Sequence, residues 1–193
     1  MTADHARLLV IAPLRIERAA LRRGLPDARV LCSGMGAARA RAAARRAASA
    51  PADAVAVAGF CGATVAGLRA GDVVVAGEVR GPDGVTGCDS LPLIEALAAL
   101  GIERIHAGPL ASVGHVVRGA ERGVLAREGV LAVDMESAWL APAAAGRPFA
   151  VLRVVLDTPA SEFRRPWAML SGAVTAWMAL RRAAPALALW ARR

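Results

Sequence analysis

The chain has 193 residues, with 24 basic side chains against 16 acidic ones for a net charge of +8, and all 24 are arginine. That length suits one domain with a sizeable core, and although 56% of the residues are hydrophobic, no apolar run is long enough to span a bilayer. The arginine clusters at 39–46, 164–165, 181–182 and 192–193 are not interleaved with aromatics, so a nucleic-acid groove is not expected, whereas a basic surface suits anionic lipid.

Met1-Thr2-Ala3-Asp4-His5 carries neither a basic nor an apolar leader pattern, so a cytoplasmic protein is expected, with a peripheral place at the inner membrane face left open. Cys32, Cys61 and Cys88 have no metal-site spacing, and none of His5, His106 and His115 pairs with them in a ligand pattern, so neither metal nor cofactor is expected. Cys32 and Cys61 read as small core residues.

In chain order, the apolar run 7–12 predicts a buried strand, 17–23 a helix ending at Gly24, and 28–32 a second strand. A glycine turn then leads into an Ala/Arg helix at 37–48. A strand at 54–58 runs into a second glycine turn, and another strand covers 72–79. The Gly- and Pro-rich segment 80–89 reads as a loop, followed by a helix at 91–100. The segment 104–117 holds a strand broken at Gly108-Pro109. A helix at 119–127, a strand at 130–133, a helix at 135–145 and a strand at 149–156 follow. The last helix runs over about 166–182, with a break at Pro185. Strands alternating with helices, many of them continuous apolar runs, predict an α/β fold. It is a single-domain three-layer α/β/α arrangement over residues 1–193, with a central mixed, largely parallel sheet.

Ligands of such sheets sit outside the carboxyl ends of the strands. Two carboxylates fall there: Glu136, where an apolar run enters a helix, and Asp157, where the next run stops. Taken alone, Glu136 also fits a first-turn helix acid, Asp157 an N-cap before Thr158-Pro159, and Glu17 a solvated helix-start residue. Ser33-Gly34-Met35-Gly36 lacks the third glycine of a dinucleotide fingerprint, and the chain has no lysine for a P-loop. The turn either offers backbone N–H groups to an anion or hydroxyl, or simply lets the chain reverse. Gly59-Phe60-Cys61-Gly62 has the same two readings, with Phe60 as ligand wall or core.

Six segments in order resemble the superfamily of purine nucleoside phosphorylases and methylthioadenosine/S-adenosylhomocysteine nucleosidases. They are 11–17 (strand, short loop, Glu), Ser33-Gly34-Met35-Gly36, Val57-Ala58-Gly59-Phe60-Cys61-Gly62, Leu68-Arg69-Ala70-Gly71-Asp72-Val73, Val133-Asp134-Met135-Glu136 and Val154-Val155-Leu156-Asp157. The compact length, Phe60 and the Arg- and Trp-bearing C-terminal helix are most similar to the hopanoid-associated phosphorylase-like proteins, a bacterial subgroup linked to adenine removal from adenosylhopane. The resemblance implies cleavage of a purine N-glycosidic bond. Asp157 would assist protonation of purine N7, and Glu17 would position the attacking water. Glu136 would hold ribose hydroxyls and Met135 would pack under the sugar. Gly59, Phe60, Val116 and Val117 would border the sugar and base. For Asp157 to donate a proton, an apolar strand end should favour its protonated form by desolvation.

Two departures from the family pattern bear on the nucleophile. Val57 and Phe60 stand where phosphorylases place a phosphate-holding Arg and a Ser, which favours hydrolysis over phosphorolysis. Arg15, Arg39 and Arg118 remain as other sources of charge for a phosphate. The implied substrate is an adenosyl lipid, with a soluble methylthioadenosine-type nucleoside as the alternative; a non-catalytic binding member of the family is a further one. A homo-oligomer is implied as well. On the C-terminal helix, Trp167, Leu170, Val174, Trp177 and Met178 recur at helical spacing before Arg181-Arg182, and Trp190 with Arg192-Arg193 repeats the pattern. This stripe fits packing on the sheet and also fits a membrane-facing edge.

Overall fold

The computed structural model describes the backbone of residues 7–161 and 166–193 and the side chains of 7–160 and 172–193. The chain begins with β1 (Leu8–Ala12), α1 (Arg15–Gly24), β2 (Arg29–Cys32), α2 (Ala37–Ala48) and β3 (Ala54–Ala63). The hairpin β4 (Val73–Gly81) and β5 (Gly84–Gly87) leads to α3 (Ser90–Ala99), β6 (Ile105–Ser112) and α4 (Ala120–Arg127). Then come β7 (Ala132–Asp134), the short α5 (Ser137–Leu140), a 3-10 turn (Ala141–Ala144) and β8 (Phe149–Asp157). The helices α6 (Pro166–Ala183) and α7 (Pro185–Ala191) close the chain.

All eight strands form one mixed sheet. β1 lies parallel between β2 and β3, and β3 runs parallel to β8. β8 then meets β4 antiparallel, β4 runs parallel to β6, β6 to β7, and β7 returns antiparallel to β3. The five strands β3, β8, β4, β6 and β7 therefore pair around a closed ring, a curling that the alternating pattern does not reveal.

Both faces of the sheet are buried. In β1, Leu8, Val10 and Ala12 join the core under α1, α3, α6 and α7, while Leu9 and Ile11 join the core under α2 and α5. A strand apolar at every position is what two covered faces require. In α2 the buried residues are Ala40, Ala43, Ala44 and Ala47, one stripe at helical spacing, with Arg41, Arg45 and Arg46 facing out. The small side chains let the helix lie close to the strands. Arg147 closes its C-terminal end, donating to the carbonyls of Ala47 and Ala48 at 3.1 and 3.2 Å and to those of Ala50 and Ala52 at 2.8 and 3.2 Å.

Four expectations are corrected. The segment 80–89 is a β-hairpin, turned through Gly84 at φ 128, rather than a loop. β6 runs unbroken through Gly108-Pro109, because β4 absorbs the irregularity as a bulge between Ala76 and Glu78. The helix expected at 135–145 begins only at Ser137 and passes at once into a 3-10 turn that ends at Ala145 and Gly146, both with positive φ. The strand expected at 54–58 runs on through Gly59-Phe60-Cys61-Gly62 to Ala63, so that segment is not a turn, whereas Trp190 is buried in the core with Leu187, in keeping with the packing reading of the C-terminal stripe. The side chains of Trp167 and Leu170 lie outside the described residues.

Candidate active site

A cavity of about 190 Å³ opens where β1, β3, β7 and β8 end. Glu17, Phe60, Val116, Val117, Met135, Glu136 and Asp157 all line it, so seven of the eight residues expected from sequence meet in one place.

Glu17 sits in the first turn of α1 and is 2% exposed, which excludes the solvated reading. Its carboxylate accepts the N–H of Leu14 at 2.6 Å and that of Phe60 at 2.7 Å. Burial lifts its pKa from 4.5 to about 7, against the opposing pull of the Arg153 guanidinium. A carboxyl poised there can exchange a proton with water at neutral pH.

The eighth residue, Gly59, does not line the cavity; it lies behind it. A Cβ at Gly59 would stand 2.5 Å from Glu17 Oε1 and 2.7 Å from Arg153 Nη1. Glycine is required so that the acid and the cation can approach across β3. Arg153, in the middle of β8, is wholly buried. Its Nη2 lies 2.6 Å from Asp134 Oδ2 and donates to Ser137 Oγ at 2.8 Å. Asp134 in turn accepts the N–H groups of Glu136 and Ser137 through Oδ1, at 3.1 and 3.2 Å. Those contacts hold the chain in a bend ahead of α5, from which Met135 and Glu136 both line the cavity.

Glu136 is buried and accepts the N–H of Gly36 at 2.9 Å. Burial raises its pKa, with Arg153 pulling the other way. The Ser-Gly-Met-Gly turn is thereby explained: Gly34 and Gly36 have φ of 82 and 91, which favour glycine, and the N–H of Gly36 orients Glu136.

Asp157 differs from expectation. Instead of an apolar strand end, it faces Arg122 of α4, whose Nη2 donates to its Oδ2. Arg122 is itself buried, and it donates through Nη1 to Ala63 O at 2.7 Å and through Nε to Val117 O at 3.2 Å. The guanidinium ties the acid to β3 and to the segment carrying Val116 and Val117. Arg122 and Arg153 were not singled out in the sequence. Arg122 resembles any outward-facing helix arginine, but a charge inside the apolar run Leu152-Arg153-Val154 is a legible sign of a buried partner. Of the other arginines considered, Arg15, Arg39 and Arg118 do not line the cavity. Among the described residues no group is placed to hold a metal ion.

The fold is shared with several solved structures. The S-adenosylhomocysteine nucleosidase of Streptococcus pyogenes, in complex with 5-methylthiotubericidin, is 21% identical, with 98% of each chain covered and a TM-score of 0.77. The 5′-methylthioadenosine/S-adenosyl homocysteine nucleosidase of Helicobacter pylori is 15% identical over 95% of this chain and 97% of that one, with a TM-score of 0.82. The futalosine hydrolase of Helicobacter pylori is 16% identical over the same shares, with a TM-score of 0.81. No curated protein matches the chain. The model of the phosphorylase superfamily matches residues 25–188, most of the chain. The chain belongs to the phosphorylase superfamily.

Proposed function

We propose that this protein cleaves the purine N-glycosidic bond of an adenosyl compound by hydrolysis, and that its substrate is adenosylhopane, giving adenine and ribosylhopane. The observation that carries this reading is the meeting of Glu17, Glu136 and Asp157, from distant elements, in one cavity, the first with its pKa at about 7. In the reaction the C1′–N9 bond breaks and its electron pair leaves with the base. Asp157, held in place by Arg122, relays a proton from solvent to N7. Water attacks C1′ and its proton passes to Glu17. Glu136 accepts from the ribose hydroxyls, with Met135 beneath the sugar. Phe60, Val116 and Val117 enclose the sugar and base, and Gly59 makes room for Glu17.

Water is preferred over phosphate because Val57, at the position of the phosphate-holding arginine, is fully buried in the core and does not line the cavity. An apolar 5′ substituent is supported by the cavity walls, where Leu14, Met35, Phe60 and Val116 stand together and Met35 and Val116 remain exposed. The test is adenine release from adenosylhopane compared with methylthioadenosine. Preferential turnover of the lipid is expected. Turnover of methylthioadenosine alone would return the protein to a soluble-nucleoside role, and turnover of neither would make it a binding member of the family.

A further inference from the structure

Helices α1 and α6 pack side by side with their C-terminal ends together: a Cβ at Gly24 would touch Arg181 O, and Trp177 Nε1 donates to Ile16 O at 3.2 Å. Their outer surface has an unusual make-up. Ile16, Val174 and Met178 are 51%, 53% and 55% exposed. Val174, Trp177 and Met178 stand at i, i+3 and i+4 on one side of α6, and the hydrogen bond to Ile16 draws that side against α1. Arginines follow on the same stripes: Arg23 lies seven residues beyond Ile16, and Arg181 seven beyond Val174. The Arg23 guanidinium rests over the Trp177 ring at 5.5 Å. The two helices hold one acid between them, Glu17, which is buried in the active-site cavity.

We propose that this α1–α6 face docks on an anionic lipid surface. An apolar centre beside an indole, followed on both helices by arginine, matches an interface in which hydrocarbon is entered shallowly and phosphate lies above it. A second copy of the chain is the poorer occupant, because a two-fold contact would set these arginines against their own kind without a carboxylate between them. The face also adjoins the cavity: Leu14 and Glu17 line it, while Ile16 between them points outward. Docking would therefore bring the cavity mouth to the bilayer, where an amphiphilic substrate resides.

The test is co-sedimentation of the full chain with phosphatidylcholine vesicles, with and without phosphatidylglycerol, in the absence of substrate. It uses the wild type and the double variant Val174→Glu/Met178→Glu. Binding to the anionic vesicles is expected, falling in high salt. The variant is expected to partition about tenfold more weakly, from the loss of two inserted side chains and the addition of two acids. Both changes are on exposed positions outside the cavity, so thermal stability and hydrolysis of a soluble nucleoside should be unchanged. Three results would overturn the proposal: no binding by the wild type, equal binding by the variant, or a wild-type dimer that the variant dissociates. Because binding is read without turnover, its failure leaves the catalytic reading untouched, and the reverse holds too.

Discussion

At the scale of single residues, the site is a set of buried charges, each held by a neighbour that differs from its reacting partner. The raised pKa of Glu17 comes from its burial. Its replacement by Gln is expected to lower kcat roughly a hundredfold to ten-thousandfold, the usual contribution of a general base. Wild-type rate should rise with pH through about 7, as the carboxyl loses its proton, and this limb should vanish in the variant. The same shift bears on stability. A carboxyl whose folded pKa lies above its unfolded one keeps its proton longest in the folded state, so stability is lost as pH rises from about 4.5 to about 7. Chemical denaturation of Glu17→Gln across that window should show the slope removed. The Arg122–Asp157 pair makes a separate prediction. Asp157→Asn removes a charged partner from the buried Arg122 guanidinium and should cost about 3–5 kcal/mol as well as activity. Adding Arg122→Met should restore much of the stability and none of the turnover. Restored turnover would remove Asp157 from the chemistry.

At the scale of elements, helices and strands with a clear period were legible. The alanine stripe of α2 and the unbroken apolar run of β1 follow directly from residue spacing. What escaped was set by contacts between distant segments. The helix expected from Met135 is delayed because Asp134 holds the N–H groups of Glu136 and Ser137 in a bend, and the loop expected at 80–89 becomes a hairpin because β4 offers it a partner. The site divides the same way. Glu136 and Asp157 could be placed from their positions at strand ends and from family motifs, and Glu17 from a family motif alone. Arg122 could not, because nothing beside it in sequence tells of Asp157, 35 residues away. Arg147 is another such residue, tying the end of α2 to the 3-10 turn. Arg147→Ala should destabilise the fold by roughly 2 kcal/mol, lowering Tm by roughly 4–8 °C, with little direct effect on the cavity.

For the whole molecule, the cavity exists only when β1, β3, β7 and β8 are assembled, since each contributes its end. Folding and site formation are one event, so a ligand of the cavity stabilises the entire chain. Adenine at a hundred times its Kd should add about 2.7 kcal/mol and raise Tm accordingly, a shift that Asp157→Asn should diminish. The most direct test of the account is adenine release from adenosylhopane in phosphate-free buffer, by the wild type and by Glu17→Gln. Release without phosphate, and its loss in the variant, are expected. Release that requires phosphate and survives the substitution would contradict the hydrolytic reading, and would make Glu17 a buried structural acid in a phosphorylase.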